Sequence, residues 1–460
     1  MGLLARLAVT LLVALDPASA TLAPHPDETR WWLSAQVNVI AQTHPAFPAQ
    51  YGLNKANSLS SNAELAISYV ATVYAGYQLS PWTELLVDVE SAGGNGLSDA
   101  LGVAGFTNVD VVRNPTLGPT PYLSRAILLQ IFPLGAESEV AVRGPLRLAT
   151  RLPVRRLELQ VGKLSTVDFF DQNTVGSDSH LQLMNWAAVN NGAYDYAADT
   201  RGYTFGAVLE YDDRGWSARF GEMLMPTVAN GLDLDGDLAH ARGENLELEL
   251  RPTVLPGRAS VLRILGFLNH ARMGSYAQAN AAFRARLDSA GEDAPCAAQR
   301  QILQPRPCIE AQRSPGRTKA GVGLNLEQVL TGSLRGFVRL GWNDGKNESF
   351  AYTEIDDSAA VGMDLSGVGW RRRADRLGVT LLTNGLSPGH REYLSLGGRG
   401  FILGDGALAY GRETIAEAYY TAFLWRGVSV AGDFQGILNP GYNRARGPVE
   451  VFSLRLHLEI

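Results

Sequence analysis

The chain has 460 residues, with 46 acidic against 40 basic side chains, a formal net charge of −6 and only 19% charged residues. That balance offers no basic surface for a nucleic acid, and the charge content falls below the roughly 25% usual for a soluble domain. The 49 Gly, 16 Tyr and 8 Trp suit strand bends and membrane interfaces.

The first twenty residues read as a signal peptide. Arg6 precedes a mostly apolar run from Leu7 to Leu15, and Ala18-Ser19-Ala20 has the small-x-small form of a cleavage site. The run is too short to cross a bilayer as a helix, and no later stretch approaches the roughly 18 to 20 continuous apolar residues such a helix needs. Residues 21–460 are expected to form one exported domain.

From there the pattern is a period of two. In Trp31 to Gln42 the odd positions carry Trp31, Leu33, Ala35, Val37, Val39 and Ala41, while Ser34, Gln36, Asn38 and Gln42 fall between them. Ala63 to Leu79 repeats this, with Glu64, Ser68, Thr72 and Gln78 on the polar side. Weaker alternation marks 82–91, 122–133, 154–164, 179–190, 203–211 and 215–224. Asn245 to Arg251 is clear again, with Leu246, Leu248 and Leu250 set against Glu247, Glu249 and Arg251. Further candidates are 259–271, 320–328, Ser333 to Asp344, 374–383, 412–425, Val428 to Leu438 and the unbroken Phe452 to Ile460. Residues 139–149 are set aside for their Gly144-Pro145 pair. Successive strand side chains point to opposite faces. A sandwich core could not hold Glu247, Glu249 and Arg251 on one buried row without costly desolvation. The sequence therefore predicts a transmembrane antiparallel β-barrel of about 16 strands, lipid on the apolar face and a watery lumen on the polar one.

Ala92 to Pro121 and Ser387 to Gly411 are Gly-rich and read as loops long enough to fold into the lumen. Tyr276 to Leu287 is Ala-rich and reads as a short helix before an irregular stretch holding the only two cysteines, Cys296 and Cys308. In an exported protein these are expected to form a disulfide; two thiolates with no histidine in the loop do not fill a zinc shell.

Few motifs carry chemistry. Gly385-Leu386-Ser387-Pro388-Gly389 has the hydrolase-elbow pattern, but Pro388 lacks the N–H an oxyanion hole needs there. Asp233, Asp235 and Asp237 resemble part of a calcium loop without its spacing; an acidic outer loop, or calcium shared with lipopolysaccharide, both fit. No cofactor, resident metal or catalytic set is expected. Arg143, Arg147, Arg151, Arg155 and Arg156 form a basic run, and Arg371 to Arg373 another; each is either a positive wall along a pore or ordinary solvated charge. Asn185-Trp186 and Tyr194-Asp195-Tyr196 fit a sugar track or an interfacial girdle equally well.

Several blocks, taken together, resemble the carbohydrate-selective porins of Gram-negative outer membranes. They are Pro45 to Gly52 with Asn57-Ser58-Leu59, Val89-Glu90 with Gly93 to Phe106, Val161-Gly162-Lys163, Asp168 to Asn173, Met184-Asn185-Trp186 and Ala198 to Tyr203. Later come Gly404-Asp405-Gly406, Tyr410 to Glu413, Glu417 to Tyr420, Gln435 and Asn439 to Tyr442. The resemblance implies an outer-membrane channel for passive diffusion of small sugars, with inward loops forming a constriction. The positions carried over are Glu90, Asp168, Asp171, Asn185, Asp199, Asp405 and Glu413, joined as constriction candidates by Arg143, Arg151, Arg155 and Trp186. The implied partners are small sugars, outer-membrane lipid and lipopolysaccharide, the barrel assembly machinery and a possible homotrimer. Such barrels usually end in an aromatic residue, whereas this chain ends in Ile460. A general diffusion channel or a polysaccharide export channel on the same barrel is the competing reading.

Overall fold

Outward and inward side chains alternate along every wall strand, and closing those strands into a cylinder leaves no unpaired edge in the bilayer. The computed structural model describes residues 21–23, 25–50, 57–110, 117–287 and 306–460. The expected signal peptide and Cys296 lie outside them. The wall strands are β1 (Trp31–His44), β2 (Glu64–Ser80), β3 (Thr83–Gly94), β4 (Tyr122–Pro133), β5 (Arg156–Leu164), β6 (Thr204–Asp213), β7 (Trp216–Leu224) and β8 (Arg242–Leu250). They continue as β9 (Ser260–Gly274), β10 (Arg313–Val329), β11 (Leu334–Asn343), β12 (Asp357–Gly367), β13 (Arg372–Gly385), β14 (Glu413–Trp425), β15 (Val428–Leu438) and β16 (Val449–Glu459). Every strand pairs antiparallel with its sequence neighbours, and β1 closes on β16 through pairs from Gln36–Glu459 to Thr43–Phe452.

The two faces divide as the alternation requires. Leu33, Ile67, Leu128, Leu246, Ile264, Leu340, Val361, Leu381 and Leu454 are exposed on the outside, where lipid takes them. Trp31, Trp82, Trp216, Trp370 and Trp425 all border the short connections, forming an aromatic girdle at one membrane interface. That end carries the tight turns at 81–82, 214–215 and 426–427 and both ends of the strand array, so it is the periplasmic end. The eight connections at the other end are longer, and among the described residues 95–110, 165–203 and 344–356 turn into the lumen.

Two strand expectations need correction. Residues 179–190 are part of an inward loop whose four-residue helix, Trp186–Val189, is capped by Asn185 accepting from the Ala187 N–H at 3.1 Å. All four helical residues are buried, so the sequence lacks a wet face for a reason unrelated to strand pairing. The strand missed in its place is β12. Its inward row is Ser358, Ala360, Gly362 and Asp364 and its outward row begins with Ala359, a contrast too weak to read. Gly362 is needed there: a Cβ would come within 2.3 Å of the Phe337 ring. The helix at Tyr276–Leu287 is present as expected. Residues 139–149 stay out of the wall; Ser138–Val140 pairs with Arg151–Pro153 in a small hairpin below it. Cys308 is disulfide-bonded.

Because Leu246 sits mid-strand and 60% exposed, placing arginine there puts a charge into hydrocarbon. Leu246→Arg is expected to destabilise the barrel by about 2–4 kcal/mol, measured as a shift in the urea midpoint of lipid-reconstituted protein.

Candidate functional site

The lumen is narrowed by residues 95–110, 165–203 and 344–356, which reach it because the wall supplies acceptors for their backbone N–H groups. Glu247 on β8 accepts from Asp171 at 2.8 Å, and Glu327 on β10 accepts from Thr174 at 3.0 Å. On β14, Glu417 accepts from Met184 and Asn185, and Glu413 takes Ala104 at 3.1 Å and Gly441 at 2.8 Å. Wall cations serve loop carbonyls in turn: Arg339 donates to Ala188 at 2.9 Å and Val189 at 2.7 Å, and Arg455 donates to Ser179 at 2.7 Å and Gln182 at 2.9 Å. The 165–203 loop therefore crosses the lumen from β5 to β16. The loops bind one another through Trp186 N–H to Phe106 O at 2.9 Å and Val109 N–H to Met184 O at 3.1 Å. Asp195 joins the third loop by accepting from Phe350 at 2.9 Å and Ala351 at 2.8 Å while ion-paired with buried Lys319 at 3.1 Å.

What remains open is a cavity of about 350 Å³ against the β1–β4 wall. Its aromatic members are Tyr74, Tyr122, Trp186, Tyr196, Tyr203 and Tyr352. Trp186 stacks on Tyr352 with centroids 4.2 Å apart and meets Phe106 edge-on at 5.4 Å. Glu90 accepts from three hydroxyls: Thr72 at 3.1 Å, Tyr203 at 2.8 Å and Tyr122. Asp168 holds Arg125 through two parallel bonds of 2.7 and 2.8 Å, and Asp88 takes the same guanidinium at 3.2 Å. Arg125 lies over Tyr203 at 5.3 Å and Arg201 over Tyr122 at 4.0 Å.

Of the eleven constriction candidates, Glu90, Asp168 and Trp186 line this cavity. Asp171, Asn185, Asp199 and Glu413 are buried braces: Asp171 accepts from the Asn191 N–H at 2.7 Å, and Asp199 accepts from Arg201 at 2.8 Å and Tyr203 at 3.1 Å. Asp405 lies in the 386–412 loop, 4.0 Å from Arg446. The basic run does not form a wall of this cavity. Arg151 is exposed in the hairpin, bonded to Ser138 at 3.2 Å, and Arg155 is exposed and paired with Asp213 at 3.1 Å. Arg143 donates to Thr29 at 3.1 Å and Trp31 O at 2.7 Å. Their segment turns back under the barrel, which carries these charges to the periplasmic rim. Asp237 is exposed and pairs with His240 at 2.8 Å.

Sequence reasoning missed Arg125, Arg201, Asp110 and His180. Arg201 and Tyr203 stand in the Ala198–Tyr203 block, and that proximity was the available signal. Arg125 gave none: it shares the inward row of its strand with the apolar Ile127, Leu129 and Ile131, so no polar row marks it, and the extra residue Ser124 then brings Tyr122, on the opposite parity, inward as well.

The periplasmic side is narrowed as well. Residues 146–149 rise into the lower lumen, where Glu84 accepts from Leu148 at 2.8 Å and Ala149 at 2.7 Å, Arg147 pairs with Glu158 at 2.5 Å, and Leu146 reaches the cavity. Glu84→Ala removes that anchor; single-channel traces are expected to show noisier current and higher mean conductance than the wild type.

His180 faces Asp110 at 3.4 Å and stacks on His457 at 5.6 Å, with Asp178, Arg455 and Glu459 nearby. Burial opposes charge on His180, but the Asp110 carboxylate outweighs it and raises the histidine above 6.5. Burial likewise opposes ionisation of Asp110, and His180 outweighs it to hold that carboxyl low. A raised histidine stabilises the folded loop fully below its unfolded value near 6.5, and that contribution is lost as pH rises through the folded value. Reversal potentials under a salt gradient are therefore expected to move toward cation preference as pH rises above 6.5, and His180→Gln to flatten that change.

A closed barrel with lipid outside, an aromatic girdle and a loop-narrowed aqueous path defines a porin-class channel, in the outer membrane of a Gram-negative bacterium. The model of the carbohydrate-selective porin, OprB family, matches residues 56–459, and the chain belongs to that family. The high-pH structure of Pseudomonas putida OprB aligns over 94% of each chain with a TM-score of 0.67 and 13% identity, which establishes the shared fold. The low-pH structure of the same protein aligns over 94% of this chain and 92% of its own with a TM-score of 0.48 and 10% identity. No curated protein matches the chain at a significant level of similarity.

Proposed function

We propose that the protein carries small saccharides across the outer membrane by passive diffusion, with selectivity set at the loop-built cavity. The observation that carries this reading is the lining. Aromatic faces of Tyr122, Trp186, Tyr203 and Tyr352 stand beside Glu90, Arg125, Asp168 and Arg201 in one space. Sugars present C–H faces to aromatic rings and hydroxyl edges to carboxylates and guanidinium groups. The volume of about 350 Å³ falls at the lower end of small-molecule sites, roughly 300–1,000 Å³, which favours monosaccharides over a polymer. The family description, carbohydrate-selective porin, agrees with this assignment. Transport by this route needs no covalent step; the chain's part is to replace the water around a sugar with fixed partners and let it leave on the other side.

In planar bilayers the channel is expected to conduct and its current to fall in a saturating manner with added D-glucose. Conductance without saccharide block, with equal passage of amino acids in liposome swelling, would instead mark a general diffusion channel.

A further inference from the structure

The charged groups around the cavity are paired, with one exception. Glu90 is occupied by three hydroxyls, Asp168 and Asp88 by Arg125, and Asp110 by Asn38 and His180. Arg201 differs: its guanidinium carbon lies 4.0 Å from the centroid of the Tyr122 ring, and among the described residues it makes no side-chain hydrogen bond or ion pair. Its neighbour Asp199 is spent inside the turn, accepting the backbone N–H groups of Arg201 and Tyr203. The Tyr122 hydroxyl donates to Glu90, which pushes electron density into the ring and strengthens its hold on the cation above. Stacking fixes the guanidinium without using its N–H groups, so the planar fork is left to a ligand.

A guanidinium fork matches a carboxylate through two parallel bonds. Tyr122 and Tyr203, 6.2 Å apart and tilted by 58°, flank this position with ring faces, and Trp186 with Tyr352 lies across the same cavity. The lining carboxylates are already occupied, Asp168 by Arg125, Asp110 by His180 and Asn38, and Glu90 by three hydroxyls. We propose that the channel prefers monosaccharides bearing a carboxylate, uronic acids, with Arg201 binding the acid group while the aromatic faces take the ring. This rests on the reading of the cavity as a sugar path.

The experiment is single-channel block of the mature protein by D-glucose, D-glucuronate and acetate at neutral pH. Glucuronate is expected to half-block at about a tenfold lower concentration than glucose, the effect of one charge-assisted bond pair, with acetate ineffective. In Arg201→Gln the ratio of the two half-blocking concentrations is expected to fall to about one. Arg201→Lys, which keeps the charge and loses the fork, is expected to show an intermediate ratio, and heat-modifiable migration on gels reports folding of both variants. Glucose block with no glucuronate advantage in the wild type overturns the acid preference and leaves sugar passage standing. So does an undiminished preference in folded Arg201→Gln, or block by acetate equal to that by glucuronate. Absence of block by either sugar overturns both readings.

Discussion

Backbone inside a membrane channel must find hydrogen-bond partners without a sheet to join, and that requirement organises this lumen. Loop segments that leave the wall carry N–H groups which cost several kilocalories each when stripped of water and left bare. Here the wall answers with carboxyl and guanidinium side chains: Glu84, Glu247, Glu327, Glu413 and Glu417 accept from loop N–H groups, and Arg339 and Arg455 donate to loop carbonyls. The charges that a sequence reader takes for pore electrostatics are in large part the fasteners of the pore. Once the loops are held, their own apolar residues, Phe106, Trp186, Tyr352 and Ile355 among them, pack into a core that the barrel alone would not possess.

The division of labour follows from exposure. Carboxyl groups that bind backbone are sealed, as Glu413 at 0% exposure and Glu417 at 2% are, and they set geometry. Groups at the cavity surface meet solute directly: the acids Glu90, Asp110 and Asp168, the doubly paired Arg125, Arg201 over its ring, and His180. Aromatic rings separate the two guanidinium groups of Arg125 and Arg201, so positive charge is distributed along the path while each centre remains individually stabilised. Ladders such as Arg219 with Glu210 and Glu247 line the wall farther from the cavity and satisfy one another.

The barrel was legible because its determinant is local. Lipid demands one apolar row per strand, and rows such as Leu246-Leu248-Leu250 and Phe452-Leu454-Leu456 display it directly. The strand that escaped, β12, puts alanine on both faces and relies on Gly362 to let Phe337 approach, so its contrast exists only in three dimensions. The false strand at 179–190 is a loop dried by the rest of the molecule. The site was less legible for a related reason. Glu90, Asp168 and Trp186 belong to blocks that resemble the family, yet Asp171, Asn185 and Glu413 share those blocks and are braces. Short-range sequence cannot distinguish a carboxylate facing solute from one facing a loop N–H, because the partner is set by the fold: Asn191, 20 residues on, for Asp171, and Ala104, 309 residues back, for Glu413.

The bulge opposite Asp88 extends that point. A single extra residue in β4, Ser124, lets Tyr122 face the interior beside Glu90 although Arg125, Ile127 and Leu129, on the opposite parity, face inward too. One-residue insertions and deletions in a wall strand therefore swap the two faces on one side of the change. They exchange the chemistry lining the passage in one step, without altering which amino acids the gene encodes elsewhere, and two relatives with nearly identical composition can present opposite interiors.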